Sequence, residues 1–501
     1  MRIFEILVIS LLFISFITSR LLKGKRKPFY LVSSLVTGAL SLFQVFIEGY
    51  RWQMVPAFIF AIGLIIHSLL RVRSDKEFLF NNKVLRSIMF GFLALVLIGS
   101  LIFPLLLPVP PLPKPNGPYA VGTISYRMTD PNREEIFSEE PSDQRSLLVT
   151  AWYPAEITKG LKPNPYWDRA GITGREYSIN AGMGTFWYSH LNQVRTNSFQ
   201  DANLAASGET YPVLIYSPSF YGLNTENTIL IEELASHGYV VFSISHTYET
   251  IVTVFPDGEI LTGNLEYIFE LYDAHADMEE LLYEDYEQVT KLEDQIAIIQ
   301  DILVVDDEIT NLLKARTADA IFVLDKIEKL NKFEGTFQGK LNLDKVGILG
   351  WSFGGATAIE SCLADSRFKA GINIDGWPYG EHFNTGKKIE QPFMVLLSEP
   401  EDKMEEIVGD LIYHQINNQA YRVEISDAWH TNFWDFPYFF RIYKYIGFWG
   451  PIDPVRLGEI NKSYVVGFFD RTLKGLEVEL LNESNDTFPE ISISTRENKP
   501  E

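Results

Sequence analysis

The sequence predicts an α/β domain on a mostly parallel sheet with helices on both faces, preceded by an all-α apolar region. Three observations predict it. From about residue 117, strand-length apolar runs alternate with helical patterns, as in parallel sheets covered on both faces. Before residue 108 the chain carries four long apolar segments. At Gly350–Gly355 an apolar run passes through a glycine-flanked serine into a helical pattern.

The apolar segments lie at about 3–19, 28–47, 52–70 and 87–108. The last three are uncharged over close to the length that a bilayer core requires. The first is shorter and carries Glu5. Its positive cluster (Arg20, Lys23, Lys25, Arg26, Lys27) follows the apolar run and no small-residue cleavage site comes after, so it reads as a retained helix. The loop after the third segment carries Arg71, Arg73, Lys76, Lys83 and Arg86, whereas the loop before it has only Arg51, with Glu48 nearby. The positive-inside rule places the two basic loops in the cytoplasm. With four helices, the N-terminus and everything after residue 108 then lie outside. The expectation is a multi-pass cell-membrane domain over 1–108 and a stiff proline-rich linker over 109–116, with the following domain extracytoplasmic.

The α/β domain is expected over 117–480, with a polar tail over 481–501. Strands are expected at 147–153, 213–216, 239–245, 345–349, 370–374, 393–397 and 421–425. Helices are expected at 225–237, 310–331, 355–365, 403–418 and 455–474. The stretch 155–210 reads as loop-rich. Residues 264–310 form an acidic insertion in which Leu and Ile recur at helical spacing among Glu279, Glu280, Glu284, Asp285, Asp306, Asp307 and Glu308. This reads as a solvated amphipathic cover for the sheet, without EF-hand spacing. A net charge of −22 argues against nucleic acid as a partner. The single cysteine, Cys362, excludes an intramolecular disulfide and reads as a packed core thiol.

Chemistry points to Gly350-Trp351-Ser352-Phe353-Gly354-Gly355. Strand, G-x-S-x-G and helix together make a nucleophile elbow, whose tight turn leaves no room for side chains at its flanks, two residues to either side of the serine. The Phe353 N–H is then placed to donate to an oxyanion. A serine nucleophile needs a base, and the base needs a carboxylate to orient it. His382 comes too early for the usual chain order and His414 falls inside a helical pattern. His430 follows the last strand, where the base belongs. For the acid, spacing leaves Asp375, Glu399, Glu401 and Asp402 open. A second oxyanion donor belongs to the loop after strand 213–216. Pro218 has no N–H, which favours Phe220. Trp351, Trp377, Trp429 and Trp434 flank these positions and are expected to wall an apolar cleft.

The second domain resembles the plasma-type (group VII) platelet-activating-factor acetylhydrolase family, especially bacterial, membrane-anchored members. The stretches that carry the resemblance are Gly117–Thr123, Leu234–Tyr239, Gly350–Gly355, Gly371–Trp377, His430–Phe433 with Asp435-Phe436, Gly450–Pro454 and Phe468–Arg471. The resemblance implies an α/β-hydrolase fold and a Ser352, Asp375, His430 triad, which selects Asp375 among the acids. It implies no metal and no cofactor, and a carboxylic ester substrate, typically a phospholipid with a short or oxidised sn-2 acyl chain. Many relatives have His where this chain has Trp351, and His-Gly where it has Pro218-Ser219. The alternatives are a polyester hydrolase, another small-ester hydrolase or a peptidase on the same fold, and a surface receptor that retains the fold without activity.

Overall fold

Helix α1 (Ile3–Leu21) is largely apolar and carries one acidic residue, Glu5, and a carboxylate in such a segment needs a partner. Arg51 supplies it. Its Nε and Nη2 donate to Glu5 Oε1 and Oε2 at 2.7 Å each, and its Nη1 donates to the Leu107 carbonyl at 2.6 Å. Both side chains are buried.

The structure is a computed structural model that describes residues 1–501 except 22–26, 74–82, 139, 141, 157–159, 168–169, 207–209, 265, 268–269, 272–282, 284–285, 287, 305–306, 334, 483–486 and 497–501. It divides into two units, Met1–Pro111 with Ala170–Val194, and Leu112–Arg169 with Arg195–Glu501. Of the basic loops, residues 22–26 and 74–82, with Lys23, Lys25, Arg26 and Lys76, fall outside the described residues, as do Glu279, Glu280, Glu284, Asp285 and Asp306.

The first unit contains α1, α2 (Lys27–Phe43), α3 (Val55–Arg73), α4 (Lys83–Leu106) and α5 (Ala170–Asn180). Val8, Leu12, Met54, Ala57, Phe60 and Leu97 form its core. On α4, Ile88, Phe92 and Leu95 recur at helical spacing and face outward. Three helical stretches, Phe29–Glu48, Trp52–Leu70 and Ser87–Leu106, are long and apolar enough to cross a membrane; the apolar part of α1, Ile3–Thr18, is shorter. Part of the stretch read as loop belongs here. Ala170–Val194 contributes α5, and the Trp52 indole N–H donates to the Trp187 carbonyl at 3.1 Å.

The second unit is built on a ten-stranded sheet in the order β12-β11-β10-β9-β8-β4-β5-β2-β1-β3. The strands are β1 (Ala120–Glu134), β2 (Gln144–Ala155), β3 (Ser198–Gln200), β4 (Tyr211–Ser217), β5 (Val240–Ser245), β8 (Leu341–Trp351), β9 (Phe368–Ile374), β10 (Phe393–Ser398), β11 (Ala420–Ile425) and β12 (Ile491–Arg496). β6 (Val252–Val254) and β7 (Ile260–Thr262) form a separate hairpin. The run from β11 to β5 is parallel, and β2, β1 and β12 join antiparallel. Each central strand buries both faces, so its sequence is a continuous apolar run rather than an alternating one. On β4, Val213 and Ile215 enter one core while Leu214 and Tyr216 enter the other. The helices Asp307–Phe333, Phe353–Ala364 and Lys403–Gln415 cover the first face. Helices α6 (Thr228–Ser236) and Pro454–Thr472 cover the second. Within the acidic stretch, the helix Leu292–Val304 buries Ile299, Ile302 and Leu303 on the first face.

The expected strands are all present. Strands β1 and β12 go beyond the sequence reading. The tail is not simply polar: Ile491-Ser492-Ile493-Ser494 pairs with β11 and lays both isoleucines on the second core. Ile491→Asp combined with Ile493→Asp should therefore cost about 2 kcal/mol, a Tm loss of a few degrees. An unchanged thermal transition would show that β12 adds no stability.

Candidate active site

Parallel strands that lie side by side end along one edge of the sheet. Here β4, β8, β9, β10 and β11 bring their carboxyl ends together, and the site residues follow those ends. Ser352 comes directly after β8 with φ 56° and ψ −123°, and it opens the helix Phe353–Ala364. Its N–H donates to the Ile374 carbonyl at 2.8 Å, and its carbonyl accepts from the Gly355 and Ala356 amides. A Cβ on Gly354 would land on the Ser217 carbonyl oxygen, and one on Gly350 would collide with the Gly354 backbone, so these glycines are steric requirements.

His430 opens the short helical turn His430–Asn432 after β11. Its Nε2 lies 3.0 Å from Ser352 Oγ and its Nδ1 lies 2.8 Å from Asp375 Oδ2. This network assigns the Nδ1–H tautomer, with Nε2 free to accept the serine proton. Asp375, just past β9, is held by the backbone and hydroxyl of Ser398, which donate to Oδ1 at 2.8 and 3.0 Å. Asn373 braces the same turn through both the N–H and the carbonyl of Gly376. Two of the other acid candidates are occupied elsewhere: Glu399 accepts the Asp427 N–H at 2.7 Å, and Asp402 caps the helix Lys403–Gln415. Among the described residues the carboxylate bonded to His430 is that of Asp375 and not that of Glu401. Burial pulls the His430 imidazole toward its neutral form. The hydrogen bond and charge of Asp375, with Glu405 and Glu401 behind it, outweigh burial and hold it above its ordinary value. The ring is nonetheless 47% exposed, so one side remains open.

Among the described residues the Phe353 N–H makes no hydrogen bond, as expected at the first turn of a helix. The Phe220 ring meets the Phe353 ring edge-on at 5.5 Å. Both residues line a cleft of about 340 Å³ together with Trp377, Tyr379, Leu397 and Ile412, and Ser352, Asp375 and His430 open into it. Of the four tryptophans expected to wall the cleft, only Trp377 lines it. Trp351 falls on the opposite face by the two-residue alternation of β8, packed between His430 at 5.4 Å and Trp434 at 5.7 Å. Trp434 stacks on Phe436, and Trp429 lies on the surface beside the base.

Behind the site, donor atoms of His246, Glu249 and Asp319 lie within 4.8 Å of one another. The carboxylates are already bonded to guanidinium groups, Glu249 to Arg316 at 2.6 Å and Asp319 to Arg145 at 2.6 Å. A cation would have to displace both, so the group is a buried ion-pair network rather than a metal cradle.

Comparisons with known proteins agree with this architecture. A sequence model described as "Platelet-activating factor acetylhydrolase, isoform II" matches residues 109–488. A protein of Arthroderma benhamiae named "Probable 1-alkyl-2-acetylglycerophosphocholine esterase" is 24% identical over 409 residues, 76% of this chain and 92% of that one. The platelet-activating factor acetylhydrolase of Bos taurus is 24% identical over 344 residues, 67% of this chain and 70% of that one. Among solved structures, a ferulic acid esterase from Streptomyces cinnamoneus superposes with a TM-score of 0.59 at 23% identity. It covers 77% of this chain and 99% of its own, a likeness of fold.

The electrostatics of His430 give a test. The rate at which a fluorophosphonate labels the protein should rise with pH through a midpoint above about 6.5, as the imidazole becomes neutral. In Asp375→Asn the raising hydrogen bond and charge are lost, so the midpoint should move down and the plateau rate should fall. An unmoved midpoint would mean that Asp375 does not set the charge of the imidazole.

Proposed function

Because the chain belongs to the platelet-activating factor acetylhydrolase isoform II family, we propose that it is a serine ester hydrolase acting on short or oxidised sn-2 acyl esters of phospholipids. The observation that carries this reading is the continuous Ser352–His430–Asp375 hydrogen-bond relay opening into a cleft that has apolar walls at Phe220, Phe353, Trp377 and Leu397. His430 Nε2 takes the proton as Ser352 Oγ bonds to the ester carbonyl carbon. Phe353 and Phe220 amides receive the oxyanion, a contribution of about 3–4 kcal/mol per donor in comparable sites. Collapse breaks the bond to the leaving alcohol, which takes the proton from His430. Water, deprotonated by the same imidazole, then releases the acid and restores Ser352. Asp375 holds the tautomer and balances the imidazolium. No step calls for a metal or a cofactor.

Two features support a lipid substrate. The cleft measures about 340 Å³, room for a short acyl group, and Trp429, next to His430 in the chain, is exposed together with Ile446 and Phe448. Thr431 Oγ1 donates to the Phe448 carbonyl at 3.3 Å, joining that apolar loop to the turn that carries the base. Withdrawing a chain from a bilayer costs about 0.8 kcal/mol per methylene, which favours acetyl and truncated chains over long ones. The test is kcat/KM for acetyl, butyryl, octanoyl and palmitoyl esters of one head group, with Ser352→Ala alongside. Activity should fall steeply with chain length and vanish in the variant. A rise toward palmitoyl would indicate a lipase, preference for a peptide or polyester would indicate another hydrolase, and an active Ser352→Ala would remove the serine mechanism altogether.

For the first unit we propose a multi-pass anchor in the cell membrane, with the basic loops cytoplasmic and the hydrolase outside. Its support is the three long apolar helices and the charge asymmetry of the loops. The parity of crossings decides the side. If α1 crosses too, the N-terminus and the hydrolase share one side; if it does not, they lie on opposite sides. Protease added to intact cells should digest the region after residue 117 and spare the loops near residues 20–27 and 71–86. The reverse pattern would invert the arrangement.

A further inference from the structure

The loop that carries the second oxyanion donor is held mainly by side chains from elsewhere in the fold. Ser217-Pro218-Ser219-Phe220 leaves the end of β4, and Pro218 has no N–H, so its only backbone hydrogen-bonding group is its carbonyl. That carbonyl accepts from Arg316 Nη1 at 2.7 Å, and the next one, of Ser219, accepts from Arg316 Nη2 at 3.1 Å. The third donor of the fork, Nε, meets Glu249 Oε2 at 2.6 Å. The guanidinium carbon lies 4.9 Å above the Phe353 ring, so one planar group touches Phe353 and, through the Ser219 carbonyl, the peptide unit that carries the Phe220 N–H. Arg316 and Glu249 are fully buried.

The network continues behind them. Glu249 Oε1 accepts from Arg145 at 3.3 Å; Arg145 donates to Asp319 at 2.6 Å and to the Thr247 carbonyl at 2.8 Å. His246 Nδ1 bonds Asp319 at 2.8 Å, and its Nε2 returns to Ser217 Oγ at 3.1 Å. Burial and the Arg316 charge keep His246 neutral, and Arg145 and His246 overcome burial to keep Asp319 ionised. From the other side Glu226 accepts the Ser219 N–H at 2.7 Å and its hydroxyl at 2.8 Å. The loop is therefore gripped at its carbonyls, its amide and its hydroxyls.

We propose that Arg316, anchored by Glu249, is a positioning residue for the oxyanion site: its fork fixes the Pro218 and Ser219 carbonyls and so aims the Phe220 amide at the developing charge. This rests on the serine-esterase reading above. A planar fork is required because two carbonyls and one carboxylate lie around a single guanidinium. An ammonium at that point keeps the charge but cannot meet all three acceptors in one plane.

The experiment compares the wild type, Arg316→Lys and Glu249→Gln as full-length proteins on p-nitrophenyl acetate, with active sites counted by fluorophosphonate titration. Arg316→Lys should lower kcat per titrated site about 10²-fold, the loss expected for one misplaced oxyanion donor. KM should change only a few-fold, and the acid limb of the pH profile, which reports His430, should stay in place. Glu249→Gln keeps the fork but loosens its anchor and should show a smaller loss in the same parameter. A merely structural arginine would reduce the number of titratable sites or the Tm and leave kcat per site intact. The proposal is overturned if kcat per site stays within about threefold of wild type in the folded variants, or if the loss falls on KM alone. Should Arg316→Lys fail to fold, Glu249→Gln decides by the same criterion. Activity surviving in Ser352→Ala would refute the serine mechanism on which the proposal rests, and is read separately.

Discussion

Ser352 sits at φ 56° and ψ −123°, a conformation that costs on the order of 1–3 kcal/mol in a residue with a Cβ, and the surrounding chain is arranged to hold it. Its amide is tied to the neighbouring strand through Ile374, and its carbonyl is already the first acceptor of the following helix. The glycines around it exist because the β4 loop presses against the start of that helix. This one constraint sets three positions at once. It lifts the hydroxyl to the imidazole, leaves the Phe353 amide at a free helix start, and brings the loop carrying Phe220 alongside. The register between Ser217 and Gly350 makes the last of these a property of the sheet itself.

What could be read from the sequence follows from this geometry. The central strands were legible because burial on both faces makes them continuous apolar runs ended by turns. Strand β1 was not, since Ser125-Tyr126-Arg127-Met128 mixes polar and apolar residues on a strand near the sheet edge, and β12 is an edge strand, Ile491-Ser492-Ile493-Ser494-Thr495-Arg496, whose two isoleucines are set among polar residues. The elbow and the histidine beside its serine were legible because each is marked locally, by glycines or by its place after a strand. The carboxylate bonded to that histidine was not. Asp375 and Glu399 both follow strands, and what separates them is that one faces His430 while the other closes onto the Asp427 amide. The family resemblance supplied that choice.

The support of the site was invisible for the same reason. Arg316 lies 67 residues from Glu249 and 98 from Pro218, so no local pattern joins them. In sequence Arg316 is one cation on an amphipathic helix. In the fold it is the buried group around which the loop closes. Trp351 errs in the other direction: adjacency to the serine suggested the cleft, but alternation along β8 turns it to the far face, under the imidazole.

A covalent intermediate on Ser352 is the central claim. It can be observed directly by mixing the protein with p-nitrophenyl acetate at neutral pH, where His430 can act as base, quenching into acid at increasing times to stop release of the acyl group, and mapping peptides by mass. The expected result is a gain of one acetyl group on the peptide containing Ser352 at the earliest times, lost again once the ester is consumed. Acetylation of a different residue, or ester hydrolysis with no acyl group on any peptide at any time, would contradict it.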